Sequence, residues 1–351
     1  MKDILAGPVG APPDETALEA WMSEPSPRAI EVLRKHPGDI VVLGAAGKVG
    51  ITLAMMLAKA AKAAGTGAAV RAVSRFSDRS AAERMEDAGV EVVKADLLDS
   101  GQVDDLPEAA NVFFLAGRKF GTTGAKELTW ATNVLAPDLA ARRYRGSRIV
   151  AYSTGCVYDF VPAASGGSVE TDEPRPTGEY AQSALGRERV FEYHSRAFGT
   201  PVCLFRLNYA VDLRYGVLRD VADKVFSGQP VDLGAGNLNC IWQGDVLERT
   251  ILCLEICSSP PRAINITGPE TVSVRYLAKA FGARFGKPPV FQGEERPDTR
   301  TYLSNAAVSF RLFGYPRIGL EEMIDLTAEW MKAGGSSLGK PTHFEVKDGT
   351  Y

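Results

Sequence analysis

An apolar run of strand length at residues 39–43 leads straight into Gly44-Ala45-Ala46-Gly47-Lys48-Val49-Gly50, and then into an apolar stretch of helical length over about 48–64. No other feature restricts the fold of the chain as much. Glycines at this spacing let the backbone turn sharply and come close to a bulky anion, and a helix that begins there points its unpaired N–H groups and positive dipole end at that anion. In a strand–turn–helix setting the anion is the pyrophosphate of a dinucleotide. The motif is not a kinase-type P-loop, because Lys48 is followed by Val49 and the glycine spacing differs.

The alternation of strand and helix continues down the chain. Strands are expected at 68–74, 90–93, 111–116, 148–152 and 201–207, with helical segments between them. Strands of this kind alternating with helices imply right-handed crossovers and an α/β fold, a doubly wound parallel Rossmann sheet covered on both faces. The pattern loosens after Leu207 into a smaller, mixed C-terminal part. The division expected is a helical extension at 1–37, a dinucleotide-binding domain at 38–207, a mainly substrate-binding part at 208–335 with some segments returning to the core, and a tail at 336–351. In the extension, 16–22 and 28–35 read as short helices split by Pro25 and Pro27. The loop at 160–178 is long, rich in Ser, Gly, Pro and acid, and is expected to face substrate.

Charge and cysteine usage exclude several classes. With 40 basic and 43 acidic residues spread along the chain, no block or stripe suggests nucleic acid or a membrane surface. The apolar stretch at 51–70 is interrupted by Lys59 and Lys62 and reads as a buried helix. His36, His194 and His343 lie far apart, and no metal site is expected. Cys156, Cys203, Cys240, Cys253 and Cys257 form no C-x-x-C pair and read as reduced thiols, with Cys253 and Cys257 as two small core residues of one helix. The acidic, proline-rich start is not a signal peptide. A soluble, cytoplasmic protein is the expectation.

The second strand ends Val73-Ser74-Arg75. An acid there suits the ribose 2′-hydroxyl of NAD, whereas an arginine suits a 2′-phosphate. Arg75 therefore favours NADP over NAD.

At this point the chain resembles the extended short-chain dehydrogenase/reductases, the NAD-dependent epimerase/dehydratase family, over about residues 39–333. Beyond the glycine turn, Lys94-Ala95-Asp96-Leu97 is similar to the family's third-strand motif, where an Asp contacts adenine. Leu115-Ala116-Gly117-Arg118-Lys119 resembles the fourth-strand motif beside the cofactor, and Asn133 falls where the family has a helix asparagine. Ser153-Thr154-Gly155-Cys156-Val157-Tyr158 resembles the fifth-strand Ser/Thr motif. Residues 241–246 and 265–268 look like the C-terminal landmarks. The resemblance implies a cofactor site of Gly44, Ala46, Gly47, Lys48, Val49, Gly50, Ser74, Arg75, Asp96, Leu97, Ala116, Gly117, Lys119, Asn133, Ser153, Tyr180 and Leu207. It also implies Tyr180 as the group that moves the proton of a substrate hydroxyl, with Thr154 bonded to the same oxygen, and a homodimer through two helices of the Rossmann face.

Two departures matter. The family pattern Tyr-x-x-x-Lys reads Tyr180-Ala181-Gln182-Ser183-Ala184 here. Positions i and i+4 share a helix face, so the missing lysine would stand beside the phenol, and a free phenol titrates near ~10. Lys119 is the first choice for a replacement cation. Arg187 is the other, seven residues beyond Tyr180 on the same face and ~10 Å further along the helix. Secondly, the family's dehydratases carry Asp-Glu after the threonine, whereas this chain has Gly155-Cys156. Dehydration by that route is not expected.

On the substrate side, Arg206-Leu207-Asn208-Tyr209 resembles the family's Arg-x-x-Asn but is one residue out of step. Asn208, Tyr209, Arg214, Trp242 and Gln243 are the candidate substrate contacts, with Tyr215 a further one and Arg214 and Arg275 the cations for a diphosphate. The reading is an NAD(P)-dependent epimerase or oxidoreductase acting on a hydroxyl or carbonyl of a sugar, nucleotide sugar or sugar-derived acid. The alternative left open is a noncatalytic NAD(P)-binding sensor that has lost the lysine. The tail from Leu338 to Phe344 caps either the site or an interface, and the sequence does not decide between them.

Overall fold

The computed structural model describes residues 10–119, 121 and 124–349. Seven strands form one sheet: β1 (Ile40–Leu43), β2 (Val70–Ser74), β3 (Glu91–Lys94), β4 (Asn111–Phe114), β5 (Arg148–Thr154), β6 (Val202–Leu207) and β7 (Arg262–Ile266). Their order is β7-β6-β5-β4-β1-β2-β3, every pair parallel. The order reverses between β1 and β4, and ligands of such sheets bind at the carboxyl ends of the strands beside that reversal. β1 and β4 are buried on both faces, which is why they read as unbroken apolar runs.

α1 (Glu15–Met22) and α2 (Pro27–Lys35) precede the sheet, and Pro27 sits in the first turn of α2, where its missing N–H is harmless. α3 (Lys48–Ala64) begins on Gly47 and ends on Gly65 in the left-handed conformation. α4 (Arg79–Asp87), α5 (Ser100–Asp104), α6 (Lys126–Trp130) and α7 (Ala136–Arg143) come after the next strands. Between α6 and α7 a π-helical turn, Ala131–Leu135, carries Asn133. α8 (Gly178–Phe198) leads into β6. Beyond it stand α9 (Val217–Ser227), α10 (Gln243–Leu252), α11 (Val274–Phe285), α12 (Ala307–Phe313) and α13 (Leu320–Lys332).

The N-terminal extension joins two cores. Ala29, Val32 and Leu33 of α2 pack with α3 and the sheet. Leu18 and Met22 of α1 pack instead with α9, α11 and α13. Each such large side chain taken from water contributes about 1.5–3 kcal/mol before entropy. The extension thus ties the C-terminal helices to the sheet.

One local expectation is corrected. Cys253 begins a 3-10 turn, Cys253–Ile256, and Cys257 comes directly after it, so the two do not share an α-helix; both are buried in the first core. The α-helix ends at Leu252, and the chain goes on through the 3-10 turn to β7, a long-range pairing with β6 that no local pattern announces.

Candidate functional site

Two cavities flank the glycine turn and share Gly44, Gly47, Leu115 and Gly117 in their walls. One, about 400 Å³, lies toward β2 and β3 and is lined by Ala46, Ser74, Arg75, Asp96, Leu97 and Ala116 among others. The other, about 340 Å³, lies toward β5 and α8 and is lined by Lys48, Val49, Gly50, Lys119, Ser153, Thr154, Cys156, Tyr180, Arg187 and Leu207, with Asn208, Tyr209, Tyr215, Gln243 and Thr342 on its far wall. Together they make one trough across the carboxyl ends of β1 and β4. Glycine is required in its floor. Gly44 has φ +85°, and a Cβ there would stand 2.5 Å from the backbone nitrogen of Ala116; a Cβ on Gly50 would stand 2.5 Å from the carbonyl oxygen of Ala45.

The β5 end holds the titratable groups. Tyr180 lies in the first turn of α8 and shares a side-chain hydrogen bond with Thr154, the last residue of β5. Thr154 Oγ1 also accepts from the backbone N–H of Cys156 at 3.1 Å, which fixes its rotamer. Burial pushes the Tyr180 phenol up to about 12, and the Cys156 thiol adds to the rise. The Arg187 charge and the Thr154 bond pull in the opposite direction.

Arg187 is buried, and its guanidinium is held in place. Nη1 donates to the Tyr152 carbonyl at 2.9 Å and Nη2 to Asn133 Oδ1 at 2.7 Å. It reaches the Tyr180 end of the trough by running against Gly117, where a Cβ would meet Nη2 at 2.6 Å. Lys119 Nζ stands 6.0 Å from the centre of the Tyr180 ring and donates to the Thr342 carbonyl at 3.5 Å; burial pulls its pKa down. Of the two cations it is Arg187 whose charge bears on the Tyr180 phenol. Ala184, at the position of the missing lysine, is buried against Val157, Tyr158 and Leu185.

Several expected site residues are placed elsewhere. Asn133 lines neither cavity: its Oδ1 accepts from Arg118 N–H at 2.9 Å and from Arg187, and its Nδ2 donates to Arg118 O at 3.1 Å and to Ser183 Oγ at 2.8 Å. It braces the loop and the arginine. Arg214 is turned away from the trough into Asp212, Glu15 and Glu19, all at 3.0 Å or less. Trp242 is buried with its ring 4.8 Å from that of Trp21, so α1 occupies the face on which a substrate would have stacked. Arg275 pairs with Glu295 and lies over Phe291, outside both cavities. In each case a polar, charged or aromatic side chain found a partner within the fold, a pairing invisible in sequence.

Others lie in the trough wall. Asn208 donates to Asn239 Oδ1 at 2.7 Å, and Gln243 Nε2 donates to Thr52 Oγ1 at 3.1 Å. Tyr209 has φ +45°, a conformation a tyrosine rarely adopts, and lines the far wall. Ser153 Oγ donates to Glu188 Oε1 at 2.5 Å, and Glu188 is paired with Arg206 at 2.7 Å in a buried network. Sequence reasoning left Thr342 within a tail assigned either to the site or to an interface, and did not assign Cys156 to the site. The only signal for Thr342 was a polar and aromatic cluster, residues 340–344, after a glycine-rich stretch.

The model of the NAD dependent epimerase/dehydratase family matches residues 40–211, the segment from β1 through β6 that carries the trough. That segment, just under half of the chain, is similar to the members of this family. Among solved structures the chain is similar to UDP-glucose 4-epimerase of Thermotoga maritima, with 20% identity over 84% of this chain and 99% of that one and a TM-score of 0.69. It is similar to UDP-glucuronic acid 4-epimerase of Bacillus cereus, solved with UDP-glucuronic acid and NAD, with 18% identity over 84% and 99% and a TM-score of 0.68. It is likewise similar to dTDP-glucose 4,6-dehydratase of Streptomyces venezuelae, solved with NAD, with 18% identity over 84% and 97% and a TM-score of 0.70. At such identities the likeness shows the shared fold. Comparison with curated proteins gives no match. Among the described residues no helix is long and apolar enough to cross a membrane, and no group of three or more His, Cys, Asp or Glu is placed to hold a metal ion.

Proposed function

We propose that the chain is an NAD(P)-dependent epimerase or oxidoreductase acting on a hydroxyl or carbonyl of a sugar, nucleotide sugar or sugar-derived acid. The observation that carries this reading is the Tyr180–Thr154 hydrogen bond at one end of a glycine-floored trough, with the Arg187 charge beside it.

The residues present fit a dinucleotide. The backbones of Gly44, Ala46, Gly47, Lys48, Val49 and Gly50 would cradle the pyrophosphate at the start of α3, with Ala116 and Gly117 opposite. Ser74, Asp96 and Leu97 would take the adenosine end, and Arg75 in the same wall supports NADP over NAD. The nicotinamide, when bound, supplies the hydride donor or acceptor. Tyr180 holds its proton firmly and gives it to a carbonyl oxygen, or takes one back as the hydroxyl is oxidised. Thr154 orients the phenol and donates to the same substrate oxygen. Arg187 lowers the cost of the phenolate, the task a lysine at 184 performs in the family pattern.

Dehydration is disfavoured by space as well as by residue type. A Cβ on Gly155 would meet Ser304 Oγ at 2.9 Å and Asn208 Oδ1 at 3.0 Å, so an acid side chain there would require both to move.

Turnover of Tyr180→Phe tests the assignment. A fall of about 10²–10⁴-fold with unchanged nucleotide binding is expected, and an unimpaired variant rules it out. The competing reading, a noncatalytic NAD(P) sensor, rests on Ala184. It requires Ala184→Lys to awaken turnover, whereas with Arg187 already supplying the charge the added lysine gains nothing.

A further inference from the structure

The trough does not end at Tyr180. Beyond it the far wall is closed by the last segment of the chain, residues 336–349, which runs from α13 across α9 to the start of α8. Leu338 N–H donates to the Arg214 carbonyl at 3.1 Å, and Arg219 Nη1 donates to Ser336 O at 3.1 Å. Thr342 is pinned from both its backbone N–H and its hydroxyl to Asp220 Oδ2, at 2.9 and 2.5 Å. Glu345 pairs with Lys224, Lys347 Nζ donates to Gly234 O at 2.9 Å, and Phe344 packs on the second core. The segment finishes where the backbones of Gly349 and Gly178 touch: a Cβ on Gly178 would stand 2.5 Å from Gly349 O. That contact is two residues before Tyr180. The strap therefore spans the substrate end of the cavity, and Thr342 is part of the wall.

The space it encloses is cationic. Lys48 and Lys119 both line it, Lys48 with Nζ 3.1 Å above the Tyr215 ring. Lys119 and Lys340 of the strap both repel Lys48: its ammonium is pulled down to about 8, by burial first and then by Lys340 and Lys119. Two carboxylates oppose this, Asp212 and Asp220. Asp212 is already paired with Arg214 at 3.0 Å, and Asp220 accepts the two Thr342 bonds while burial holds its own pKa up. An anion between the lysines relieves their repulsion and restores their charge. The arginines expected to grip a diphosphate, Arg214 and Arg275, and Arg219 beside the strap, are engaged with the protein: Arg214 with three carboxylates, Arg219 with Asp223, Leu213 O and the strap, Arg275 with Glu295.

We propose that the substrate of this site is a small free sugar bearing one anionic group, held by Lys48 and Lys119 under the 336–349 strap, and not a nucleotide sugar. This rests on the proposed NAD(P)-dependent chemistry at Tyr180 and narrows its substrate class. The anion is a carboxylate or a phosphate, since both satisfy two ammonium groups. Thr342 fixes the strap over the site and, through Asp220, couples the strap to α9.

Calorimetric titration of the full chain, both free of nucleotide and saturated with the nicotinamide nucleotide it binds, tests the proposal. The ligands are D-glucuronate, D-glucose 6-phosphate, D-glucose and UDP-glucose. At least one anionic sugar is expected to bind 10-fold or more tightly than D-glucose, and which of the two does so tells carboxylate from phosphate. Lys48→Met and Lys119→Met should each weaken it about 10-fold and leave D-glucose unchanged. UDP-glucose should bind no better than D-glucose. Three results overturn the proposal: UDP-glucose binding more tightly than both anionic sugars, anionic sugars binding no better than D-glucose, or lysine variants that bind as the wild type does. Tighter binding of UDP-glucose than of both anionic sugars to the nucleotide-saturated chain defeats this inference and leaves the functional reading standing. Failure to bind any nicotinamide nucleotide defeats that reading itself.

Discussion

Arg187 Nη2 lies 2.6 Å from the point at which a Cβ on Gly117 would sit. The first loop residues after β4 are thus shaped around a guanidinium that comes from α8, two turns beyond Tyr180. Glycine at 117 is required by this close approach, since Nη2 is also fixed at 2.7 Å to Asn133 Oδ1. A Gly117→Ala variant should push the guanidinium out of place. With one pKa unit equivalent to ~1.4 kcal/mol, turnover should fall about tenfold for each unit by which the Tyr180 phenol rises. The check is a pH–rate profile for oxidation of the hydroxyl: the limb that rises as Tyr180 deprotonates moves to higher pH in Gly117→Ala and in Arg187→Met, and nucleotide affinity separates this from simple occlusion of the trough.

Tyr144, Tyr158 and Tyr180 should make the protein sensitive to alkali. Burial raises each phenol to about 12, against 10.0 when free. The folded chain keeps these protons where the unfolded chain releases them. Their contribution to stability is therefore complete below pH 10 and is lost as the pH rises to about 12. Urea unfolding midpoints should fall steadily across that interval, and Tyr144→Phe should flatten the fall.

Lys48 should show the opposite sign. Its pKa is pulled down to about 8 from 10.5, so the folded chain carries a penalty for the charge at neutral pH. Lys48→Met in the ligand-free protein should raise the melting temperature at pH 7. The advantage should shrink as the pH climbs through about 8 and disappear near 10.5. A variant that gains stability while losing ligand binding marks a residue retained for function.

Arg214 is expected to matter for folding. Its guanidinium is 5% exposed and paired with Asp212 and Glu19, which are 4% and 9% exposed, and with Glu15. Arg214→Ala strands the buried Asp212 carboxylate and leaves Glu19 with Arg84 alone, and loss of about 3 kcal/mol is expected in equilibrium urea unfolding. A substrate-contacting arginine would instead leave stability nearly unchanged and raise KM.

Much of this architecture was legible because it is local. The glycine turn fixes the end of β1 and the start of α3, and an unbroken apolar helix up to Gly65 fixes its end, so the expected span of 48–64 is the observed one. The strands buried on both faces announce themselves in the same way. The illegible parts depend on partners distant in sequence. Arg214 and Trp242 read as substrate contacts because nothing nearby in the chain shows that Glu19 and Trp21 will meet them. The choice between Lys119 and Arg187 turned on side-chain reach and on the gap at Gly117. Spacing gave the shared helix face, but only the packed structure gives that gap. β7 and the strap are pairings across dozens of residues or more, and their short segments carry no periodicity that betrays a destination.

The most direct test of the central claim, that this trough binds a nicotinamide dinucleotide against Tyr180, is to denature freshly purified protein, identify the released nucleotide by mass spectrometry, and titrate any nucleotide-free fraction with NAD and NADP. One nucleotide per chain, or saturable binding that Gly44→Val abolishes, is the expected result. A preparation that releases neither and binds neither contradicts the account.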